Sequence, residues 1–130
     1  MLVTVSVPRQ QALVKAGVAV PAPVQARLLV DTGASSTVLD HNIVAPLGLQ
    51  PTGQVAVHTP TTNGVPQHCS LYDVGLFVRS ASQIVHFSQA LPVVTNNLQA
   101  QGIDGLLGRD VLAVARLTYS GADNLFLISF

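Results

Sequence analysis

The chain has 130 residues, long enough for one domain with a buried core, and six Lys+Arg balance six Asp+Glu. Only 9% of residues are charged and no basic or acidic run occurs, which excludes an electrostatic nucleic-acid surface and a solvated charged tail. The single cysteine, Cys69, excludes an internal disulfide, and no apolar run reaches the length of a membrane helix.

The chain is rich in Val, Leu, Ala and Thr, poor in aromatics, and punctuated by ten Gly and eight Pro. That composition favours strands joined by turns, an all-β class. No basic stretch followed by an apolar core opens the chain, so no signal peptide is read and a cytoplasmic location is expected.

In chain order, Met1 to Pro8 alternates apolar Leu2, Val3, Val5 and Val7 with Thr4 and Ser6, which predicts a strand stopped by Pro8. Gln11 to Val20 has no clear period, and Pro21-Ala22-Pro23 breaks it. Leu28, Leu29 and Val30 form a continuous apolar run, read as a buried strand. Ser36 to Leu39 is a second short strand. Asp40 is placed to cap a helical turn over Asn42–Ala45, ended by Pro46 and Gly48. His41 falls in that turn, solvated.

Gln54–His58 and Gln67–Val78 read as strands around Thr59 to Pro66. Asn63-Gly64 between them is a hairpin signal, because both residues tolerate positive φ. Ile84–Phe87 and Ala90–Val94 read as two further strands, followed by a polar loop over Thr95–Gly102. Leu106-Leu107-Gly108 repeats the pattern of an apolar strand running into a glycine turn. Arg109 to Leu117 reads as a short helix. Leu117–Tyr119 and Leu125–Phe130 form a closing hairpin whose last strand is apolar on both faces and expected to be buried.

The chain turns on Leu28-Leu29-Val30-Asp31-Thr32-Gly33-Ala34-Ser35-Ser36. A carboxylate directly after an apolar strand is costly unless hydrogen bonds offset its desolvation. Gly33 allows a tight turn that aims its N–H at Asp31, and the Thr32 hydroxyl is free to brace a neighbouring strand. Far downstream, Ile103-Asp104-Gly105-Leu106-Leu107-Gly108-Arg109-Asp110-Val111-Leu112 carries two apolar residues and a glycine leading into a helix.

Together these two sites resemble the signatures of the single-lobed, retroviral-type (retropepsin-like) aspartic proteases, over roughly 24–130. The resemblance implies a small closed β-barrel with one short C-terminal helix, forming a single domain over 1–130. It implies an aspartic endopeptidase acting on peptide or protein substrates as a two-fold homodimer, with one Asp31 from each subunit. The residues agree: Asp31-Thr32-Gly33 occurs once, the chain has no Glu, and Asp40, Asp73, Asp104, Asp110 and Asp123 lie in no matching context. A second carboxylate must then come from a second copy.

By the same resemblance, Leu13–Val20 and Val24–Val30 form a hairpin before the active loop. A flap over about Val57–His68, with its tip at Thr62, Asn63 and Gly64, closes on substrate. Thr32 bonds across the two-fold, Ala34 begins the loop on which substrate lies, Leu106 and Leu107 pack behind it, and Gly108 lets strands cross closely. Chain termini interleave into a sheet across the dimer. One departure stands out. Ser35 and Ser36 occupy positions where the viral branch often has an acid that pairs with the helix arginine, so Arg109 lacks that partner and Asp104 or Asp110 is a candidate substitute.

The chemistry implied needs no metal and no cofactor. His58 and His68 stand equally far from Asn63, beside Cys69, but no third ligand has metal-site spacing. Cys69 has no catalytic-thiol surroundings and reads as a small buried hydrophobe. Asp40 and Asp73 read as capping or turn residues, and Asp104 as a structural hydrogen-bonding partner. The alternative function is a non-catalytic dimerisation or peptide-binding domain that keeps the fold. An intact Asp31-Thr32-Gly33 speaks against it, since a retained acid costs stability.

Overall fold

The computed structural model describes residues 1–57, 65–80 and 83–130. The expected flap tip, Thr62, Asn63 and Gly64, and His58 lie outside the described residues. The elements in order are β1 (Leu2–Val5), α1 (Val7–Lys15), β2 (Val24–Gln25), β3 (Leu28–Val30), β4 (Val38–Asp40), α2 (His41–Val44) and β5 (Gly53–Val57). Then come β6 (Gln67–Ser80), β7 (Gln83–Asn96), β8 (Gly105–Leu107), α3 (Arg109–Leu112), β9 (Arg116–Ser120) and β10 (Leu125–Ser129).

Antiparallel β6 and β7, fourteen residues each, are the spine of the molecule. Their register slips between Val74 and Leu76 and again between Val78 and Arg79, each time with an extra residue on β7. Such bulges increase twist, and here they curl the sheet. The order is β2-β1-β6-β7-β4-β8-β3, with β5 also on β6. Among the described residues this path runs open from β2 to β3, a curled half-barrel and not the closed barrel expected. Val3, Val5, Leu39, Val74, Leu76, Val93, Leu107 and Val111 fill its concave side and are at most 2% exposed. No helix among the described residues is long and apolar enough to cross a membrane.

Several expectations are corrected. Pro8 does not stop a strand; it lies in the first turn of α1. Proline loses nothing there, since its missing N–H would have no helical partner, and Gln10, Gln11, Ala12, Leu13 and Lys15 are good helix formers. Gly17 at φ +68° ends the helix. Leu13–Val20 is therefore not a hairpin arm. The other arm is split: β2 pairs with β1, whereas β3 pairs with β8. Ile84–Phe87 and Ala90–Val94 belong to one bulged strand, β7. The helix after Gly108 is a single turn, because Leu117-Thr118-Tyr119 is strand-forming sequence and β9 starts at Arg116.

Two burial expectations also fail within one chain. Leu29 in β3 is 54% exposed, and Leu125, Phe126 and Leu127 in β10 are 63%, 57% and 65% exposed. Asp73 lies within β6 opposite Pro92, not in a turn.

Candidate active site

The two signature stretches meet at β8, which lies between β3 and β4. Its Leu106 and Leu107 stand in parallel register with Leu29 and Val30, and Leu106 also pairs with Val38 of β4. The chain leaves β3 as Asp31, whose N–H donates to the Leu107 carbonyl at 3.1 Å. Asp31 is thus fixed at its backbone by the second signature. Leu107 is fully buried behind the loop, and Leu106 is half-buried.

The loop then folds back on its own carboxylate. Gly33 N–H donates to Asp31 Oδ1 at 2.8 Å and Ala34 N–H to the same oxygen at 3.2 Å. A Cβ at residue 33 would sit 3.1 Å from that oxygen, so glycine keeps the approach open. Asp31 Oδ2 takes no hydrogen bond from the described residues. Asp31 is half-buried and Thr32 is exposed at the tip.

Arg109 and its neighbours lock the loop from below. Arg109 N–H donates to the Ala34 carbonyl at 2.9 Å. Its guanidinium reaches the Thr32 carbonyl at 3.0 Å and the Gly33 carbonyl at 3.4 Å. This corrects the expected acidic partner: neither Asp104 nor Asp110 fills that place. Asp110 accepts the Thr37 N–H and hydroxyl, both at 2.7 Å, and the Thr37 hydroxyl accepts the Gly108 N–H at 3.2 Å. Asp104 accepts the Arg27 N–H at 2.8 Å, the structural role expected of it. A Cβ on Gly108 would lie 2.6 Å from the Ser36 carbonyl oxygen and 2.7 Å from Thr37 N, so only glycine lets these backbones cross.

The Thr37–Asp110 link escaped the sequence reading. Its only trace is an acid immediately after Arg109 and a threonine just past the active loop.

Asp40 is the other prominent carboxylate. It is 2% exposed. Oδ1 accepts the Asn42 N–H and side-chain amide at 2.9 and 2.8 Å, and Oδ2 accepts Leu98 and Gln99 N–H at 2.7 and 3.0 Å. Burial alone would raise its pKa, but these four donors outweigh burial and hold it below the usual carboxylate value. His41 is exposed, as expected. His68 is exposed opposite Ala56, and Cys69 is buried.

The aspartyl protease family matches residues 16–111, most of the chain and both halves of this site. The chain belongs to the retropepsin-like aspartyl protease family. No match is found among curated proteins. For this retropepsin-like chain, membership supports aspartic protease activity in general terms. The matched region holds Asp31 and Arg109 but leaves out all of α1 and all of the β9–β10 hairpin.

Proposed function

We propose that the chain is an aspartic endopeptidase working as a two-fold homodimer, with Asp31 of each subunit forming the catalytic pair. One observation carries this reading: a single carboxylate held at a half-exposed strand end by two backbone N–H groups on one oxygen, with the other oxygen unengaged among the described residues.

Two carboxylates brought within a few ångströms do not both ionise readily; they share a proton and titrate as a unit. The ionised member takes a proton from a water held between them. The protonated member hydrogen-bonds the scissile carbonyl. Attack gives a tetrahedral diol, and return of a proton to the amide nitrogen releases two peptides. Gly33 and Ala34 N–H groups lower the cost of charge on Asp31. Thr32 bonds across the two-fold, while Leu106, Leu107, Gly108 and Arg109 hold the loop in place. The segment around Thr62, Asn63 and Gly64 closes as a flap and pairs with extended substrate. Residues 1–130 act as one domain.

The test incubates the protein and its Asp31→Asn variant with a diverse peptide mixture across about pH 3.5–7, the span in which such pairs titrate. Acid-favoured cleavage by the wild type alone is expected. A folded dimer that cleaves nothing at any pH would point instead to a non-catalytic peptide-binding or dimerisation domain.

A further inference from the structure

We infer that the cavity between the start of α1, the segment from Leu49 to Thr52 and the middle of β6 binds a free α-amino acid with an apolar side chain, held at its carboxylate by Ser6 and Arg9 and at its ammonium by Asp73. The inference goes beyond the protease reading and stands without it.

Chain connectivity brings the three segments together. β1 runs antiparallel to β6 and its last pair is Val5 with Val74, so Ser6, the next residue, comes level with Asp73. The chain then turns into α1, which carries Arg9. From the other side, Thr52 N–H donates to the Leu71 carbonyl at 2.8 Å and holds its segment against β6. Ser6, Arg9, Leu49 and Asp73 all line the cavity left between them, which measures about 210 Å³. None of its lining residues belongs to the Asp31 site.

Ser6 is the residue that asks for a ligand. It is 5% exposed and stands at the N-cap of α1, yet its side chain makes no cap bond. A serine there ordinarily accepts an N–H from the first helical turn. This hydroxyl has no partner among the described residues. No side-chain N or O among them is both sealed from solvent and unpartnered, so the hydroxyl opens into the cavity. A polar group so deeply placed is costly unless a bound group completes its hydrogen bonding.

The surrounding charges define that group. The N-terminus of a nine-residue helix carries partial positive charge, and α1 has no acid in its first turn to offset it. Arg9 adds a guanidinium, whose planar fork suits a carboxylate. Asp73 lines the cavity from β6. It is half-buried opposite Pro92, and no hydrogen bond from the described residues reaches it or joins it to Arg9. A cationic side and an anionic side in one cavity match a zwitterion, and Leu49 supplies an apolar wall for its side chain. Drug-sized ligands fill pockets of about 300–1,000 Å³, so this smaller one suits a single amino acid and not a peptide.

The experiment follows backbone amide NMR shifts while the protein is titrated with L-leucine, isocaproate or isopentylamine at matched ionic strength. The last two keep the branched alkyl group but each lack one of the two charges. Leucine should give saturable shifts around Ser6, with a Kd in the millimolar range for so small a ligand. Each analogue should bind at least about tenfold more weakly. Arg9→Gln and Asp73→Asn should each weaken leucine by about tenfold and Ser6→Ala by about threefold. Lys15→Gln, at the other end of α1, should leave leucine binding unchanged. The comparison of ligands on the wild type holds even where a variant folds poorly. Absence of leucine binding, as when an Arg9–Asp73 ion pair closes the cavity, overturns the inference. So does isocaproate binding as tightly as leucine, which would mean a plain anion site. Peptide cleavage takes no part in the readout, so a failed protease reading leaves this result untouched.

Discussion

Asp31 and Asp40 make an instructive pair. Each stands at the C-terminal end of a three-residue strand, and each takes backbone N–H bonds from the turn that follows. Asp40 is buried and every lone-pair direction is used: four donors fall on its two oxygens. Asp31 is half-exposed, with two donors on one oxygen and none on the other from the described residues. A saturated carboxylate ties chain segments together and has no capacity left for a substrate. A half-satisfied one, braced through its backbone, is available for chemistry.

Substitution should separate the two roles. Asp31→Asn is expected to lower peptide cleavage by at least about 10³-fold, since it removes the acid–base group. Its unfolding free energy should move by less than about 1 kcal/mol, as for other half-exposed sites. Asp40→Asn should do the reverse. It turns an amide toward the Leu98 or Asn42 donors and is expected to cost about 3 kcal/mol in urea denaturation, from lost charge-assisted bonds and stranded buried donors. Equal effects of the two substitutions on stability would break the distinction.

Two smaller effects sharpen the account of how the Asp31 loop is held. Thr37→Val removes the hydroxyl between Asp110 and Gly108, and should cost about 2 kcal/mol by leaving the buried Gly108 N–H unpaired. Arg109→Ala releases the Thr32 and Gly33 carbonyls. It should lower kcat roughly tenfold with little change in KM, because it loosens the geometry of the reacting group and not substrate binding. A change confined to KM would place Arg109 at the substrate instead.

Acid titration gives the mildest contrast. The pKa of Asp40 is lower in the folded chain than in the unfolded one. Its contribution to stability is therefore complete above the unfolded value, about pH 4, and is lost as pH falls through the lowered folded value. The unfolding midpoint should fall more steeply below about pH 4 in the wild type than in Asp40→Asn.

Much of this was legible in the sequence where local chemistry decides structure. Asp40 reads as a helix cap because a short acid precedes a turn, and it is one. Leu28–Val30 and Leu106–Leu107 read as matching strands, and they pair side by side. The failures share a cause. Pro8 and Gln10–Lys15 have helical propensity that alternation in Met1–Val7 obscured. The exposure of Leu29 and β10 depends on what covers them, which a single sequence does not display. Asp110 found its partner in Thr37, far away in the chain, through a crossing that only the paired strands bring about.

The central claim, two Asp31 residues in one site, is most directly tested by mixing. Wild-type and Asp31→Asn chains are combined at fixed total concentration and allowed to exchange, and peptide cleavage is followed against the wild-type fraction. If each site needs one Asp31 from each subunit, activity falls as the square of that fraction, to about a quarter at equal mixing. A linear fall, to about a half at equal mixing, would mean that one chain suffices and would contradict the shared pair.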